Sequence, residues 1–137
     1  MPAGYSKRSL VEKLGIKPGS RISILHSPEG FDATLGPLPA SATLLPKATK
    51  EMDYIHAFFT SGKALDREFP VLMKALKQNG TLWISWPKKA AKVETDVTET
   101  VVREIGLRHG LVDVKICAVD DVWSGLKFMY RLKDRTP

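Results

Sequence analysis

Apolar residues along the chain follow two spacings, and each spacing predicts a different secondary structure element. Short runs dominated by apolar residues predict buried strands at Arg21–His26, Asp53–Phe59 and Thr81–Trp86. Apolar residues three and four positions apart predict an amphipathic helix over Ser61–Gln78. Pro70 lies inside this helix and is expected to kink it or divide it in two, because proline removes one backbone hydrogen bond and crowds the preceding turn.

Capping and turn residues predict shorter elements around this region. Ser6 is expected to cap a first short helix that ends at Gly15. A short helix is expected at Phe31–Leu35 and a short strand around Ala42–Leu45, where nearby prolines limit the length of any strand. The Asn79-Gly80 pair is expected to end the long helix.

A last helix and a hairpin are predicted near the C-terminus. Asp96 and Glu99 resemble a capping box for a helix that Gly110 ends. Strict alternation of apolar and polar residues then predicts half-buried strands at Val112–Ala118 and Leu126–Leu132. Their connection is too short for a crossover, so the two strands are expected to pair antiparallel.

Alternating strands and helices followed by a hairpin predict one α/β domain over residues 1–137. The expected fold is a Rossmann-like three-layer sandwich with a mostly parallel sheet and a C-terminal antiparallel hairpin. In such sheets ligands bind beyond the carboxyl ends of the strands, where the strand order reverses. A site is therefore expected at the loops Ser27–Gly30, Thr60–Lys63 and Pro87–Thr95, with a crevice between the first and third strands.

Composition excludes several classes of protein. The chain has 137 residues, of which 43% are hydrophobic, so it is long and apolar enough for a folded core and is not disordered. Its apolar runs are too short to cross a membrane, and its first residues lack the apolar segment of a secretory signal, so a cytoplasmic protein is expected. The single cysteine, Cys117, excludes an internal disulfide, and the three histidines lack the spacing of metal ligands.

The charge balance favours an anionic ligand or weak nonspecific contact with nucleic acid, because 21 Lys and Arg face 15 Asp and Glu. Basic and acidic residues are mostly interleaved, which is unlike a dedicated nucleic-acid binder. The stretch from Phe69 to Val93 has lysines and no carboxylate. A solvated helix face and loop explain that stretch better than a nucleic-acid patch, since no arginine alternates with aromatic residues there.

The segment Thr60-Ser61-Gly62-Lys63 follows a predicted strand and opens the long helix. Helix amides beside a flexible glycine can cradle an anion, and Lys63 would add positive charge. The first glycine and the spacing of a P-loop are absent. The alternative is an ordinary serine or threonine N-cap, with Gly62 easing the turn.

The segment Trp86-Pro87-Lys88-Lys89 follows the neighbouring strand. A tryptophan ring beside two ammonium groups can stack a base and meet a phosphate. The alternative is the end of a strand followed by two solvated lysines.

Further candidate residues lie at the end of the first strand and in the hairpin. His26 and Glu29, beside Gly30, are able to form an acid/base pair, although a histidine at a strand end is often structural. His56 lies in a hydrophobic strand and is expected in the core. Trp123 is expected in the turn of the hairpin, where it either marks a partner surface or folds back over the core.

Two segments carry a resemblance to a known family. The run LGIKPGSRISIL at Leu14–Leu25 resembles the lead-in to the first strand of class I, Rossmann-like methyltransferases, and ALKQNGTLWIS at Ala75–Ser85 resembles their later helix-to-strand passage. The family's first strand is followed by a glycine-rich turn, whereas His26–Phe31 has a single glycine. Its second strand ends in an acidic residue for the ribose, whereas Leu44-Leu45 run into a proline and a lysine. No cofactor is therefore assigned, and S-adenosylmethionine is expected to bind weakly or not at all.

A second resemblance covers nearly the whole chain. It is carried by the strings at Lys13–Gly19, Pro28–Gly30, Trp83–Ala90, Thr95–Glu99 and Val114–Phe128. These strings resemble a family of small bacterial proteins known only as a domain of unknown function. The resemblance implies the same fold and a bacterial cytosolic location, with no established activity.

Three functions from different classes agree with these patterns. The first is a small-ligand or partner-binding module with an anion-favouring crevice, whose ligand would be an anionic or nucleotide-like small molecule. The second is an atypical S-adenosylmethionine-dependent methyltransferase, although no catalytic constellation is visible. The third is a homodimeric scaffold that uses the edge of the terminal hairpin. Neither a membrane nor a specific nucleic acid is expected as a partner.

Overall fold

Six strands form one sheet within residues 9–136, the part of the chain that the computed structural model describes. The strands are β1 (Arg21–Leu25), β2 (Thr43–Leu45), β3 (Met52–Phe58), β4 (Leu76–Pro87), β5 (Leu111–Ala118) and β6 (Trp123–Tyr130). The α-helices are α1 (Leu10–Leu14), α2 (Phe31–Leu35), α3 (Gly62–Ala75) and α4 (Glu99–His109). Short 3-10 helices lie at Lys89–Ala91 and Leu132–Asp134.

The sheet has the strand order β2-β1-β3-β4-β6-β5. The first four of these strands are parallel, and β6 pairs antiparallel with both β4 and β5. This confirms the predicted α/β fold, with a mostly parallel sheet and a C-terminal antiparallel hairpin. It also confirms that the first and third strands are neighbours.

The helices cover the two faces of the sheet in pairs. On one face α3 and α4 bury a cluster that includes Phe69, Val102 and Phe128. On the other face α1 and α2 bury a cluster that includes Leu14 and Trp83, and the Trp83 indole Nε1–H donates a hydrogen bond of 2.8 Å to the Leu14 carbonyl. The connections that follow β1 and β3 therefore leave toward opposite faces, which makes the gap between these strands the point where the strand order reverses.

The long helix ends earlier than the sequence predicts. Pro70 lies inside α3 without dividing it, and β4 already begins at Leu76. The predicted end at Asn79-Gly80 is wrong because Leu76 pairs with Met52 of β3, which draws the following residues into the sheet. A Cβ atom on Gly80 would lie 2.8 Å from the Met52 carbonyl oxygen, so this glycine permits close approach of the two strands where their register shifts.

Two helix caps also differ from the prediction. Ser9 caps α1 in a capping box, whereas the predicted Ser6 lies outside the described residues. Thr98 caps α4 in place of Asp96, whose carboxylate contacts α3 instead. Gly110 ends α4 in a left-handed conformation, with φ of 110°, as predicted.

The hairpin turn lies earlier than expected, because Trp123 already belongs to β6. The Oδ1 atom of Asp120 stabilises the turn, because it accepts hydrogen bonds from the N–H groups of Val122 at 2.8 Å and Trp123 at 2.7 Å. The Trp123 ring meets the Phe58 ring edge-on, with 5.2 Å between centroids. Trp123 therefore packs against the core with part of its surface and stays partly exposed.

Candidate functional site

His26 joins β1 to α3 across the gap between β1 and β3. Its backbone has a positive φ of 58°, and its Nε2 atom lies 2.9 Å from the Glu68 Oε1 atom. The imidazole ring also contacts the Phe59 ring, with 5.5 Å between centroids. The predicted pair of His26 with Glu29 is wrong, because Glu68 reaches the imidazole from the facing helix. Gly30 begins α2 as its N-cap, and Glu29 beside it is exposed.

The start of α3 is closed by protein groups. The Asp96 Oδ1 atom accepts the Gly62 N–H at 2.7 Å, and the Ser61 Oγ atom accepts the Ala64 N–H at 3.2 Å. The Thr95 hydroxyl donates to the Thr60 carbonyl at 2.8 Å, which ties the loops after β3 and β4 together. The predicted anion cradle at this helix start is therefore wrong: a carboxylate already occupies it, and the N-cap interpretation holds.

The hollow beside this helix start is acidic in character. It is lined by Thr60, Ser61, Glu94, Thr95 and Asp96. Lys63 is exposed but is not among these lining residues. Two carboxylates facing one hollow disfavour an anion, so the anion-favouring part of the predicted site does not extend to this loop.

A cavity follows the carboxyl end of β4 and reaches the start of α4. Its volume is about 470 Å³, and its lining residues are Trp86, Pro87, Lys88, Lys89, Val93, Thr95, Val97, Thr98, Glu99 and Thr100. Lys88 is half-buried and its N–H donates to the Val122 carbonyl at 2.7 Å, while Lys89 is exposed. Trp86 is only 5% exposed and packs in the core, so the prediction that it stacks a base is wrong. The cavity nevertheless brings three of the predicted site residues together.

A second cavity, which the sequence did not predict, lies between β1, α2 and β2. Its volume is about 280 Å³, and it is lined by Ile24, Ser27, Phe31, Asp32, Leu35, Gly36, Leu38, Leu44, Leu45 and Pro46. Asp32 is the one charged residue among them. The apolar spacing of Phe31 and Leu35 was visible in the sequence, but it also fits a helix packed against the sheet with no cavity.

A chain of buried polar groups crosses β3 and β4 on the face covered by α1 and α2. The Ser85 Oγ atom lies 2.6 Å from His56 Nε2, and the Tyr54 hydroxyl oxygen lies 3.1 Å from His56 Nδ1. Burial lowers the pKa of His56 to about 3, so the imidazole is neutral at physiological pH. A serine and a histidine at this distance resemble a nucleophile and its base, but both are fully buried from solvent. The group is structural, which confirms that His56 is a core residue.

Comparisons with known proteins identify the fold. A SAM-dependent methyltransferase from Aquifex aeolicus has a TM-score of 0.64 and 15% identity over 89% of this chain and 88% of that chain. The chain has the fold of the class I methyltransferases. The ribosomal protein L11 methylase from Lactobacillus delbrueckii subsp. bulgaricus is similar, with a TM-score of 0.58 and 13% identity over 89% of this chain and 75% of that chain. Fibrillarin, a pre-rRNA processing protein from Methanococcus jannaschii, has a TM-score of 0.56 and 12% identity over 84% of this chain and 68% of that chain.

Comparisons of the sequence with family models and with curated proteins found no match. The resemblance to a small bacterial family of unknown function therefore stays a prediction. Among residues 9–136, no helix is long and apolar enough to span a membrane.

The residues at the carboxyl ends of β1 and β2 do not fit the methyl donor that this fold commonly holds. The β1 loop passes through His26, whose side chain is engaged by Glu68. Gly30 is the only glycine of this loop, and its left-handed backbone, with φ of 84°, begins α2. The end of β2 offers Leu45 and Pro46 and no carboxylate for ribose hydroxyls. No methyl-transfer step is assigned to these residues.

Proposed function

We propose that this protein is a binding module for an anionic or nucleotide-like small molecule, built on a methyltransferase fold. The observation that carries the proposal is the cavity of about 470 Å³ at the carboxyl end of β4, which has Lys88 and Lys89 in its lining. The cavity lies beyond the carboxyl end of a parallel strand, as ligand sites of open α/β sheets do, although not at the gap between β1 and β3 where the strand order reverses. Val93 and Val97 supply an apolar wall, and the exposed Thr100 adds a hydroxyl group.

The charges around this cavity support an anionic ligand. Glu99 is the one carboxylate in its lining, and its Oε2 atom lies 2.9 Å from the Arg103 Nη2 atom. Neither Lys88 nor Lys89 forms an ion pair with another residue of the described range. The two ammonium groups are therefore left to interact with a ligand. A hydrogen bond to a charged group contributes about 1.5–3 kcal/mol, so loss of both lysines should weaken binding by about tenfold or more.

The test is isothermal titration calorimetry of the full chain with ATP and with inorganic phosphate. We expect ATP to bind, and we expect the double variant Lys88→Ala and Lys89→Ala to bind it at least about tenfold more weakly. The matched control is the double variant Lys47→Ala and Lys50→Ala, which loses the same charge from exposed positions outside the cavity. Equal affinity in the cavity variant and the parent chain, or no binding of either phosphate compound, contradicts the proposal.

A methyltransferase is the second candidate, and the structural likeness favours it. Solved structures with this fold include a magnesium protoporphyrin IX methyltransferase from Synechocystis PCC 6803 with bound SAH and a fibrillarin from Aeropyrum pernix with bound S-adenosyl-L-methionine. Titration with S-adenosylmethionine separates the two candidates. We expect no binding at micromolar concentration, because the β1 loop and the end of β2 lack the groups that would hold it. Micromolar binding would favour the methyltransferase.

A further inference from the structure

Two lysines face each other directly on the C-terminal hairpin. Lys115 of β5 is the register partner of Lys127 of β6. Cross-strand partners carry their side chains on the same face of the sheet, with Cβ atoms about 5 Å apart, and like charges in that arrangement are unfavourable. The pair therefore stands out from the interleaved charges of the rest of the chain.

A third lysine adds to this charge. Lys127 is also the register partner of Trp83, whose ring lies against α1. Lys17 follows α1 closely, and burial together with the charges of Lys115 and Lys17 lowers the pKa of Lys127. Lys17, Lys115 and Lys127 form one group, the lysine face, on the side of the sheet that carries α1.

No carboxylate of the described residues neutralises the lysine face. None of its three lysines takes part in an ion pair within residues 9–136. Two acidic residues of the hairpin have other partners: Asp113 lies 2.9 Å from Arg103 of α4, and Asp120 accepts hydrogen bonds in the turn. Within residues 9–136 the lysine face therefore keeps its positive charge open to a negatively charged group of another molecule.

The lysine face is part of an open surface. β5 is an edge strand, and both Lys115 and Lys17 are exposed. Trp123 lies on the same face of β6, because residues an even number of positions apart share one face of a strand. It is four positions from Lys127, about 13 Å along the strand, and its ring is partly exposed.

We infer that the lysine face and Trp123 bind the backbone and one base of a single-stranded nucleic acid without sequence preference. Lysines that follow the phosphates and an aromatic ring that stacks a base are the two elements of such binding. An open face suits an extended chain, whereas a free phosphate or nucleotide would need a more enclosing site. This site is separate from the cavity at Lys88 and Lys89, so the two can be tested independently.

The test is fluorescence anisotropy of the full chain with a labelled oligouridylate, measured at several potassium chloride concentrations. We expect the double variant Lys115→Gln and Lys127→Gln to bind at least about tenfold more weakly at low salt. We also expect its plot of log affinity against log salt to lose about 1.4 of its slope, since each contact with a single-stranded phosphate contributes about 0.7. The control Lys47→Gln and Lys50→Gln removes the same charge elsewhere and should keep the parent affinity and slope.

Two further arms make the test decisive. The double variant Lys115→Arg and Lys127→Arg keeps both positive charges, so it should keep the parent affinity. This result would show that the weaker binding of the glutamine variant comes from the lost charge and not from misfolding. Trp123→Leu should weaken binding by about fivefold or more with an unchanged salt slope, because stacking releases no counterions. Equal weakening in the control and the lysine variant, or no weakening in either, overturns the inference. Displacement of the oligonucleotide by inorganic triphosphate at an equal phosphate concentration also overturns it, since that result indicates a site for a small polyphosphate.

Discussion

At the scale of single residues, His56 shows how burial decides the chemistry of a side chain. Both of its ring nitrogens are satisfied by hydroxyl groups, and its ring stacks on Phe58 with 4.4 Å between centroids. This enclosure favours the neutral imidazole and lowers its pKa to about 3. The folded protein therefore resists protonation of a group that protonates readily in an unfolded chain.

This difference predicts a pH dependence of stability that is specific to His56. Between pH 6.5, the ordinary pKa of histidine, and the folded value of about 3, the unfolded chain binds a proton that the folded chain does not. The free energy of unfolding should therefore fall as the pH falls, by about 1.4 kcal/mol per pH unit from this residue. Urea unfolding between pH 7 and pH 5 should therefore show a loss of about 2 kcal/mol from this residue in the parent chain, because the full slope is reached only below pH 6.5, and His56→Gln should not show it. Parallel slopes in the two proteins would mean that the buried histidine titrates normally.

At the scale of elements, the packing of α4 on β6 depends on one missing side chain. A Cβ atom on Gly106 would lie 2.1 Å from the Phe128 ring, so the helix and the strand approach each other only because this residue is glycine. A Cβ atom on Gly62, in the first turn of α3, would lie 3.5 Å from Asp96 Oδ1, which is ordinary contact. Both glycines lie in helices, but only at Gly106 does the packing of helix against strand require the absence of a side chain.

Alanine substitutions at these glycines should therefore have different effects on stability. Gly106→Ala should lower the free energy of unfolding by about 1–3 kcal/mol, because overpacking outweighs the gain of up to about 1 kcal/mol from better helix propensity. Gly62→Ala should change it by less than about 0.5 kcal/mol. Chemical denaturation of both variants measures the difference. Similar stabilities would show that Phe128 moves aside without cost.

At the scale of the whole molecule, the fold was predictable from the sequence because its signals are local. Continuous apolar runs, strict alternation after Gly110 and a short hairpin connection are each visible within a few residues. The site was less predictable because its decisive contacts join distant segments. Asp96 reaches Gly62 across 34 positions, and Glu68 reaches His26 across 42. The homodimeric scaffold stays a prediction.

The hydrogen bond between Trp83 and Leu14, which spans 69 positions, has a consequence for the order in which the chain folds. α1 has only five residues, too few for a helix that persists alone in water. It gains its stability from Trp83 in the middle of the sheet, so β3 and β4 must pair before α1 can dock. We therefore expect the first helix of the chain to form only after the central strands have paired.

Folding kinetics can test this order. Leu14→Ala should lower the free energy of unfolding by about 2–5 kcal/mol, since the Leu14 side chain is fully buried. Stopped-flow measurements in urea should show that nearly all of this lost stability comes from a faster unfolding rate, while the refolding rate hardly changes. Leu82→Ala, in the middle of β4 and equally buried, should slow refolding instead. A slower refolding rate for Leu14→Ala would mean that α1 takes part in the nucleus, so that folding at the start of the chain and in the sheet proceeds together.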